Sequence, residues 1–112
     1  MNVNFKGVYL SAVSCCRQMI KYNCNGSMVL VGSMSGFIAN RGLRTSVYNS
    51  SKAAVVQLGR SLAMEWSKII DGKAIRVNVL CPGNIVTPVG LSTVLVHFKL
   101  TSCADGAKEL RG

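Results

Sequence analysis

Acidic residues are the scarcest chemical class in this chain. Aspartate and glutamate number 4 against 13 lysines and arginines, so the 112 residues carry a formal net charge of +9. A strongly basic balance is typical of nucleic-acid-binding proteins. Here the basic residues are spread along the chain without a run, and aromatic residues, 6% of the chain, do not alternate with them as base-stacking platforms would. We therefore predict no nucleic-acid partner and expect the balancing acidic residues in another part of a larger protein.

Long hydrophobic runs are also absent. No apolar stretch approaches the roughly 20 residues that a membrane-spanning helix needs. Residues 1–4 do not begin a secretory signal, which has a basic region followed by an apolar one. With 49% hydrophobic and 15% charged residues, the composition is that of a globular protein. We predict neither secretion nor a membrane partner.

The cysteines lack the spacing of a disulfide framework or of a zinc site. There are 5 of them, an odd number, and none forms a Cys-x-x-Cys pair. Cys15 and Cys16 are adjacent, and neighbours on a helix point about 100° apart, which is a poor geometry for sharing a metal ion. We expect no metal site and interpret the cysteines as reduced thiols, small core residues of a cytoplasmic protein.

Four segments have the periodicity of regular secondary structure. Apolar residues three and four apart predict a helix over residues 4–22, and a second helix over residues 46–67 is apolar almost all round and begins at a Ser46 cap. The apolar runs 27–31 and 74–80 predict strands, the first buried on both faces. The apolar face predicted for the first helix consists of Phe5, Val8, Tyr9, Ala12, Cys16, Met19 and Ile20.

The order helix, strand, helix, strand predicts an α/β fold. A parallel strand pair joined by a right-handed helical crossover is the unit of doubly wound sheets. Two strands are too few for independent stability. We therefore expect an incomplete domain over residues 1–88 and a divergent tail over residues 89–112, in which residues 92–100 are a candidate third strand.

Three polar residues fall where chemistry is possible. Tyr48 and Lys52 lie four apart on the second helix and so share one face. A tyrosine hydroxyl ordinarily loses its proton only near pH ~10, and a nearby ammonium group stabilises the phenolate, which allows proton exchange nearer neutral pH. Ser33 follows the first strand, at the sheet edge where ligands of open α/β sheets bind, and its hydroxyl can hydrogen-bond a substrate oxygen.

Four sequence blocks carry a resemblance to a known family. Residues 29–36 (VLVGSMSG), 48–52 (YNSSK) and 76–83 (RVNVLCPG), followed by Thr87, resemble in order and spacing the second half of short-chain dehydrogenases/reductases. Residues 4–9 (NFKGVY) are similar to that family's helix with a catalytic asparagine. The resemblance implies the C-terminal half of a Rossmann-like doubly wound parallel sheet. It also implies a reversible, nicotinamide-dependent conversion of an alcohol into a ketone.

The resemblance also implies a role for each site residue. Tyr48 is the general acid/base, Lys52 supports it and binds the nicotinamide ribose, Ser33 polarises the carbonyl, and Asn4 holds a water of the proton relay. Ser35 is a rival for the serine role. We prefer Ser33, because it stands three residues before Gly36, where the family places its serine after this strand.

The implied cofactor is NAD or NADP, with NADP slightly favoured. Its implied binding residues are Tyr48, Lys52, Pro82, Gly83, Ile85 and Thr87. Residues 32–36 superficially resemble a phosphate-binding loop, but Ile38 stands where the third glycine belongs and no helix is predicted to begin there, so we reject this interpretation. Since the family subunit is about twice this length, we expect the adenosine-binding half to be missing. We therefore expect residues 1–112 alone to bind no nicotinamide cofactor measurably.

Two hypotheses of different class follow. Residues 33–36 and 39–41 look most like fungal polyol and ketose reductases of the family, such as mannitol, arabinitol and sorbose enzymes. In the first hypothesis the chain is part of such a dehydrogenase, which acts on a small alcohol or ketone and forms homo-oligomers through the two helices. In the alternative it is a non-catalytic remnant that acts at most as a subunit-association module.

Each residue also has an ordinary structural interpretation. Singly, Tyr48 fits an interfacial aromatic, Lys52 a solvated charge, Ser33 a strand-end cap and Asn4 a helix cap. Jointly, their order and spacing favour a catalytic site. His97 stands alone in the tail, and we interpret it as a surface or packed residue.

Overall fold

The computed structural model describes residues 1–67, 73–85 and 99–101. The regular elements are α1 (Val8–Lys21), β1 (Gly26–Val31), α2 (Ser46–Trp66), β2 (Ile75–Cys81) and β3 (Lys99–Thr101). A π-helical turn, Asn2–Gly7, leads into α1, and a 3-10 turn, Met34–Gly36, follows β1. The predicted order of helix, strand, helix and strand is confirmed, and with it the incomplete Rossmann-like α/β fold.

The sheet has the strand order β1-β2-β3. β1 and β2 are parallel, in a register that runs from Gly26 opposite Ile75 to Val31 opposite Leu80. β3 pairs antiparallel with the far edge of β2, where Leu100 lies opposite Leu80. The candidate third strand is therefore formed in part, and its residues 92–98 lie outside the described residues.

The core lies on one face of this sheet. Met19 of α1 approaches Gly26, and Gly59 of α2 lies against Val79 and Leu30, so both helices cover the same side. The buried hydrophobic residues form one cluster: Ala12, Cys16, Met28, Leu30, Val55, Val56, Leu62, Ala63, Ile75, Val77, Val79 and Cys81. Within the described residues, this cluster is where the burial of apolar side chains stabilises the fold.

The prediction that the first strand is buried on both faces is wrong for the described part of the chain. Met28 and Leu30 are 8% and 7% exposed, whereas Val29 and Val31 are 56% and 53% exposed. Side chains alternate along a strand, and both described helices pack against the side of Met28 and Leu30. An apolar run alone does not tell which neighbours cover its two faces.

The helix starts and faces differ in detail from the prediction. Ser46 is the first helical residue of α2 instead of its cap. The Thr45 carbonyl accepts the Asn49 N–H at 2.8 Å, which places the cap one residue earlier. On α1 only Ala12 and Cys16 are buried. Neither helix is long and apolar enough to cross a bilayer, as judged on the described residues.

Several apolar side chains predicted to be covered are exposed. On α1 these are Tyr9 and Ile20, and on α2 Met64, which contradicts the expectation of burial almost all round. Of the cysteines, Cys16 and Cys81 are buried core residues as predicted, whereas Cys15 and Cys24 are exposed. Cys103 and His97 lie outside the described residues.

Candidate active site

The candidate site lies where β1 and β2 end. Beyond the strands, Gly32 N–H donates to the Leu80 carbonyl at 2.7 Å and Met34 N–H donates to the Pro82 carbonyl at 3.0 Å. These bonds continue the parallel pairing past the last residue of each strand. They therefore hold Ser33, which lies between the two donors, beside the loop that begins at Pro82.

The segment that follows β1, residues 32–36, is the Ser33 loop, and its two serines have different partners. The Ser33 hydroxyl accepts a hydrogen bond from the Ser35 N–H at 3.1 Å, and Ser33 is half-buried. Ser35 is buried, and its hydroxyl accepts from the Asn40 side-chain amide at 2.9 Å. Because the Ser33 hydroxyl acts here as an acceptor, its own proton is available for donation to a ligand. Ser35 is instead part of the internal bonding of the loop.

Gly36 fixes the loop against α2. A Cβ atom on Gly36 would lie 3.0 Å from the backbone of Lys52 and Ala53, so only a glycine permits this approach without a local shift. The loop therefore packs directly on the turn of α2 that carries Lys52. The segment after β1 forms a short 3-10 turn and no α-helix, in agreement with the rejection of a phosphate-binding loop.

Tyr48 and Lys52 lie together at this edge of the sheet. The Lys52 Nζ atom is 5.8 Å from the centre of the Tyr48 ring and donates to the Val31 carbonyl at 3.3 Å. Tyr48 itself is 43% exposed. An ammonium group has three donor hydrogens, so the bond to Val31, the last residue of β1, leaves two for other acceptors. The predicted pair is thus placed beside the strand end that carries Ser33.

Asn4 reaches the same turn of α2 through a residue that sequence reasoning missed. The Asn4 side-chain Nδ2 donates to the Ser51 hydroxyl at 3.3 Å, and that hydroxyl donates to the Tyr48 carbonyl at 2.7 Å. Ser51 is 2% exposed. The only sequence signal for Ser51 is a small polar residue three positions after Tyr48, on the inward side of the helix.

Cys81 is a second residue that sequence reasoning did not place at the site. Its sulfur is 2.9 Å from a Cβ atom built on Gly32, so the thiol packs directly against the loop. Burial raises the pKa of the Cys81 thiol, and a hydrogen bond with the Ser33 backbone and the charges of Arg60 and Lys52 oppose that rise. Cys81 is therefore a neutral packing group near pH 7 and not a thiolate nucleophile.

The predicted cofactor-binding residues after β2 are placed in part. Pro82 and Gly83 are half-buried next to the Ser33 loop, and Ile85 is exposed. Thr87 lies outside the described residues. The described part of this edge thus combines a lysine, a tyrosine and a serine, a donor set that suits a hydroxyl-rich ligand.

Comparison with known proteins gives the site a context. The sequence profile of the family described as short chain dehydrogenase matches residues 1–94. A short-chain dehydrogenase/reductase notP' of Aspergillus versicolor is 53% identical over 87 residues, covering 78% of this chain and 30% of the relative. A D-arabinitol 2-dehydrogenase (ribulose-forming) of Scheffersomyces stipitis is 43% identical over 100 residues, covering 89% and 34%.

A third relative is named for a ketose substrate. The NADH-dependent L-xylulose reductase of Ambrosiozyma monospora is 42% identical over 90 residues, covering 80% of this chain and 32% of the relative. The chain therefore spans about a third of the length of these relatives, and not the half expected from the sequence. No solved structure matches the chain.

Proposed function

The chain belongs to the short-chain dehydrogenase family, and from that premise we propose that it supplies the proton-transfer site of an NAD(P)-dependent oxidoreductase. The reaction is the reversible oxidation of a secondary alcohol of a polyol to the ketone of a ketose. The observation that carries the proposal is the convergence of Ser33, Tyr48 and Lys52 at the ends of β1 and β2, with Asn4 bonded to the same turn of α2.

Tyr48 is the residue that exchanges the proton. In the reduction direction its hydroxyl donates a proton to the carbonyl oxygen of the substrate, and in oxidation its phenolate accepts the hydroxyl proton of the alcohol. Its exposure leaves the ring accessible to a ligand at this edge. The Lys52 ammonium group lies 5.8 Å from the ring centre, which places a positive charge beside the proposed proton-transfer residue.

Ser33 stabilises the substrate oxygen. Since the Ser35 N–H occupies an acceptor position of the Ser33 hydroxyl, the Ser33 proton can be directed at the oxygen on which charge develops in the transition state. Asn4 is assigned to hold a water that passes protons between Tyr48 and solvent. Its bond to Ser51 supports this role, because it ties the Asn4 amide to the Tyr48 turn.

The residues present fit a nicotinamide cofactor at its nicotinamide end. Lys52 has two donor hydrogens beyond the one given to Val31, which suits the adjacent hydroxyls of a ribose. Pro82, Gly83, Ile85 and Thr87 are the further residues proposed to hold this end of the cofactor. The bound cofactor supplies or accepts the hydride at the carbinol carbon. NAD or NADP is the proposed coenzyme, with NADP slightly favoured, although the name of one relative includes NADH.

The substrate class rests on the relatives. D-Arabinitol 2-dehydrogenase and L-xylulose reductase have a sugar alcohol or a ketose in their printed names. Their similarity to this chain supports a polyol or ketose as the substrate. We further propose that subunits associate through α1 and α2, because Leu10 on α1 and Val47 and Met64 on α2 are exposed apolar side chains. Light scattering measures that association directly.

The direct test is a substrate panel with both coenzymes. Wild-type protein is assayed with arabinitol, galactitol, ribulose and xylulose against NAD(H) and NADP(H). The assay is run on the chain alone and on the chain joined to the part of the D-arabinitol relative that precedes the matched segment. We expect turnover of at least one polyol–ketose pair by the joined protein. A folded joined protein without turnover on any pair would contradict the proposal and favour a subunit-association module.

A further inference from the structure

One buried hydroxyl close to the site touches no reacting atom in the proposed chemistry. Ser51 is 2% exposed and is among the three largest fully buried side chains of the described residues. A polar side chain that is withdrawn from water costs free energy unless it is hydrogen-bonded. Ser51 meets that condition with two bonds, and both go to elements that carry proposed catalytic residues.

The direction of these two bonds is fixed by the chemistry of a hydroxyl group. A serine hydroxyl has one proton, and Ser51 donates it to the Tyr48 carbonyl at 2.7 Å. Toward Asn4, therefore, the hydroxyl can only accept, and at 3.3 Å it receives the Nδ2–H of the amide. Ser51 thus selects one of the two amide orientations of Asn4, with Nδ2 toward α2 and Oδ1 away from the Ser51 oxygen.

Asn4 needs such an anchor because of the local backbone. It lies in the π-helical turn, where the Met1 carbonyl accepts both the Phe5 N–H at 3.1 Å and the Lys6 N–H at 3.2 Å. This wider turn is joined to α2 by the Asn4–Ser51 bond, which spans 47 residues of sequence. π-turns frequently mark functional positions.

We propose that Ser51 is a positioning residue, which locks the Asn4 amide in one orientation relative to the turn of α2 that carries Tyr48. The proposal rests on the proposed function, since the value of this orientation is the proton relay at Tyr48. In this proposal the Asn4–Ser51 and Ser51–Tyr48 hydrogen bonds act as one coupled unit. Removing Asn4 should then cost at least as much turnover as removing Ser51.

The kinetic test is a double-mutant cycle. It is carried out in whichever protein, the chain alone or the joined protein, turns over a substrate of the panel. We expect Ser51→Ala to lower kcat about tenfold while KM stays within about twofold. Because the residues act as a unit, Asn4→Ala/Ser51→Ala should turn over no more slowly than Asn4→Ala alone. Ser50→Ala is the matched control, since this neighbouring serine is exposed. Additive effects of Asn4 and Ser51 would overturn the proposal.

A second variant separates hydrogen bonding from packing. Ser51→Cys fills the same space, but a thiol is a weak donor and a weak acceptor. We expect it to lose kcat like Ser51→Ala. Full turnover by Ser51→Cys would show that Ser51 only fills space, and the positioning role would be rejected.

Amide hydrogen exchange tests the coupling without relying on turnover. In the full chain, we expect exchange of residues 2–7 to accelerate in Ser51→Ala and to stay at the wild-type rate in Ser50→Ala. If wild-type protein turns over no substrate but this acceleration is present, the proposed function fails and the anchor remains. If exchange of residues 2–7 is unchanged in Ser51→Ala, the proposed positioning of Asn4 by Ser51 is wrong, whether or not the protein turns over substrate.

Discussion

The two halves of α2 have different tasks. Residues 46–54 carry Tyr48, which is exposed, and Lys52, which bonds to the end of β1, and they contact the Ser33 loop. Residues 55–66 carry Val55 and Leu62, which are buried against the sheet. The first half holds polar side chains at the carboxyl-terminal edge of the sheet, and the second half contributes to the core.

The difference follows from the direction of the helix. β1 and β2 are parallel, so α2 begins near the carboxyl ends of the strands and returns toward their amino ends. In open α/β sheets, ligands bind at the carboxyl ends. A single helix can therefore separate reactivity from stability along its length, and substitutions in its two halves should affect different measurements.

Apart from the loss of the Tyr48 hydroxyl itself, the largest effect in the first half is expected from Lys52→Ala. It removes the positive charge that lies 5.8 Å from the Tyr48 ring centre and the donor proposed for the cofactor ribose, so we expect turnover to fall on the order of a thousandfold. Cofactor affinity should fall as well, as measured by fluorescence titration. Lys21→Ala is the matched control. Lys21 is the last residue of α1, and its Nζ atom lies 5.6 Å from the centre of the Tyr22 ring, a similar lysine–tyrosine pair. Equal losses of turnover in the two variants would contradict the role proposed for Lys52.

The Ser33 loop, which packs on the first half, gives the next largest effect. Ser33→Ala should lower kcat about a hundredfold, the scale of one lost donor to a developing oxyanion. Ser35→Ala should cost much less turnover and more stability, because it leaves the Asn40 amide without its partner. Steady-state kinetics and denaturant unfolding of both variants provide the measurement. The reverse ranking of kcat would move the catalytic role to Ser35.

The second half should respond in stability and not in chemistry. Val55 is 0% exposed, and Val55→Ala deletes two buried methyl groups, which costs about 2 kcal/mol of unfolding free energy. Gln57→Ala, which truncates an exposed polar side chain of the same half, should change it by less than about 0.5 kcal/mol. Urea unfolding measures both. A comparable loss in the two variants would show that the second half is not packed as described.

Gly59→Ala tests the packing of the second half by whether it raises or lowers the free energy of unfolding. Helix propensity alone predicts stabilisation by about 1 kcal/mol. A Cβ atom on Gly59 would instead collide with the buried Val79 side chain, and overpacking of this kind costs about 1 to 3 kcal/mol. We expect net destabilisation, which Val79→Ala in the same chain should partly relieve. Stabilisation by Gly59→Ala would mean that the helix stands farther from the sheet.

Much of this arrangement could be predicted from sequence because it depends on local spacing. The Tyr48–Lys52 pair shares a face because four residues make about one helical turn. Ser33 lies at the sheet edge because it follows a strand. Pro82 ends the second strand near the predicted residue because it has no N–H to donate.

The remainder depends on neighbours that the sequence does not specify. The partners of Ser51 and Cys81 come from segments 47 and 48 residues away, Asn4 and Ser33. Nothing in a single sequence reports which side of a helix faces a π-turn. The exposure of Val29 and Val31 within the described part of the chain is unpredictable for the same reason, since an apolar run looks alike whether one or two layers cover it.

The central claim is that Tyr48 exchanges a proton with the substrate, and a comparison of two tyrosines tests it most directly. Tyr48 and Tyr9 are both 43% exposed, so Tyr48→Phe and Tyr9→Phe each remove one hydroxyl from an equally accessible ring. We predict that Tyr48→Phe abolishes polyol–ketose turnover while cofactor affinity stays within a few-fold, and that Tyr9→Phe retains wild-type turnover. A Tyr48→Phe protein with even about a tenth of the wild-type kcat would contradict the account, because a lost general acid/base costs about a hundredfold or more.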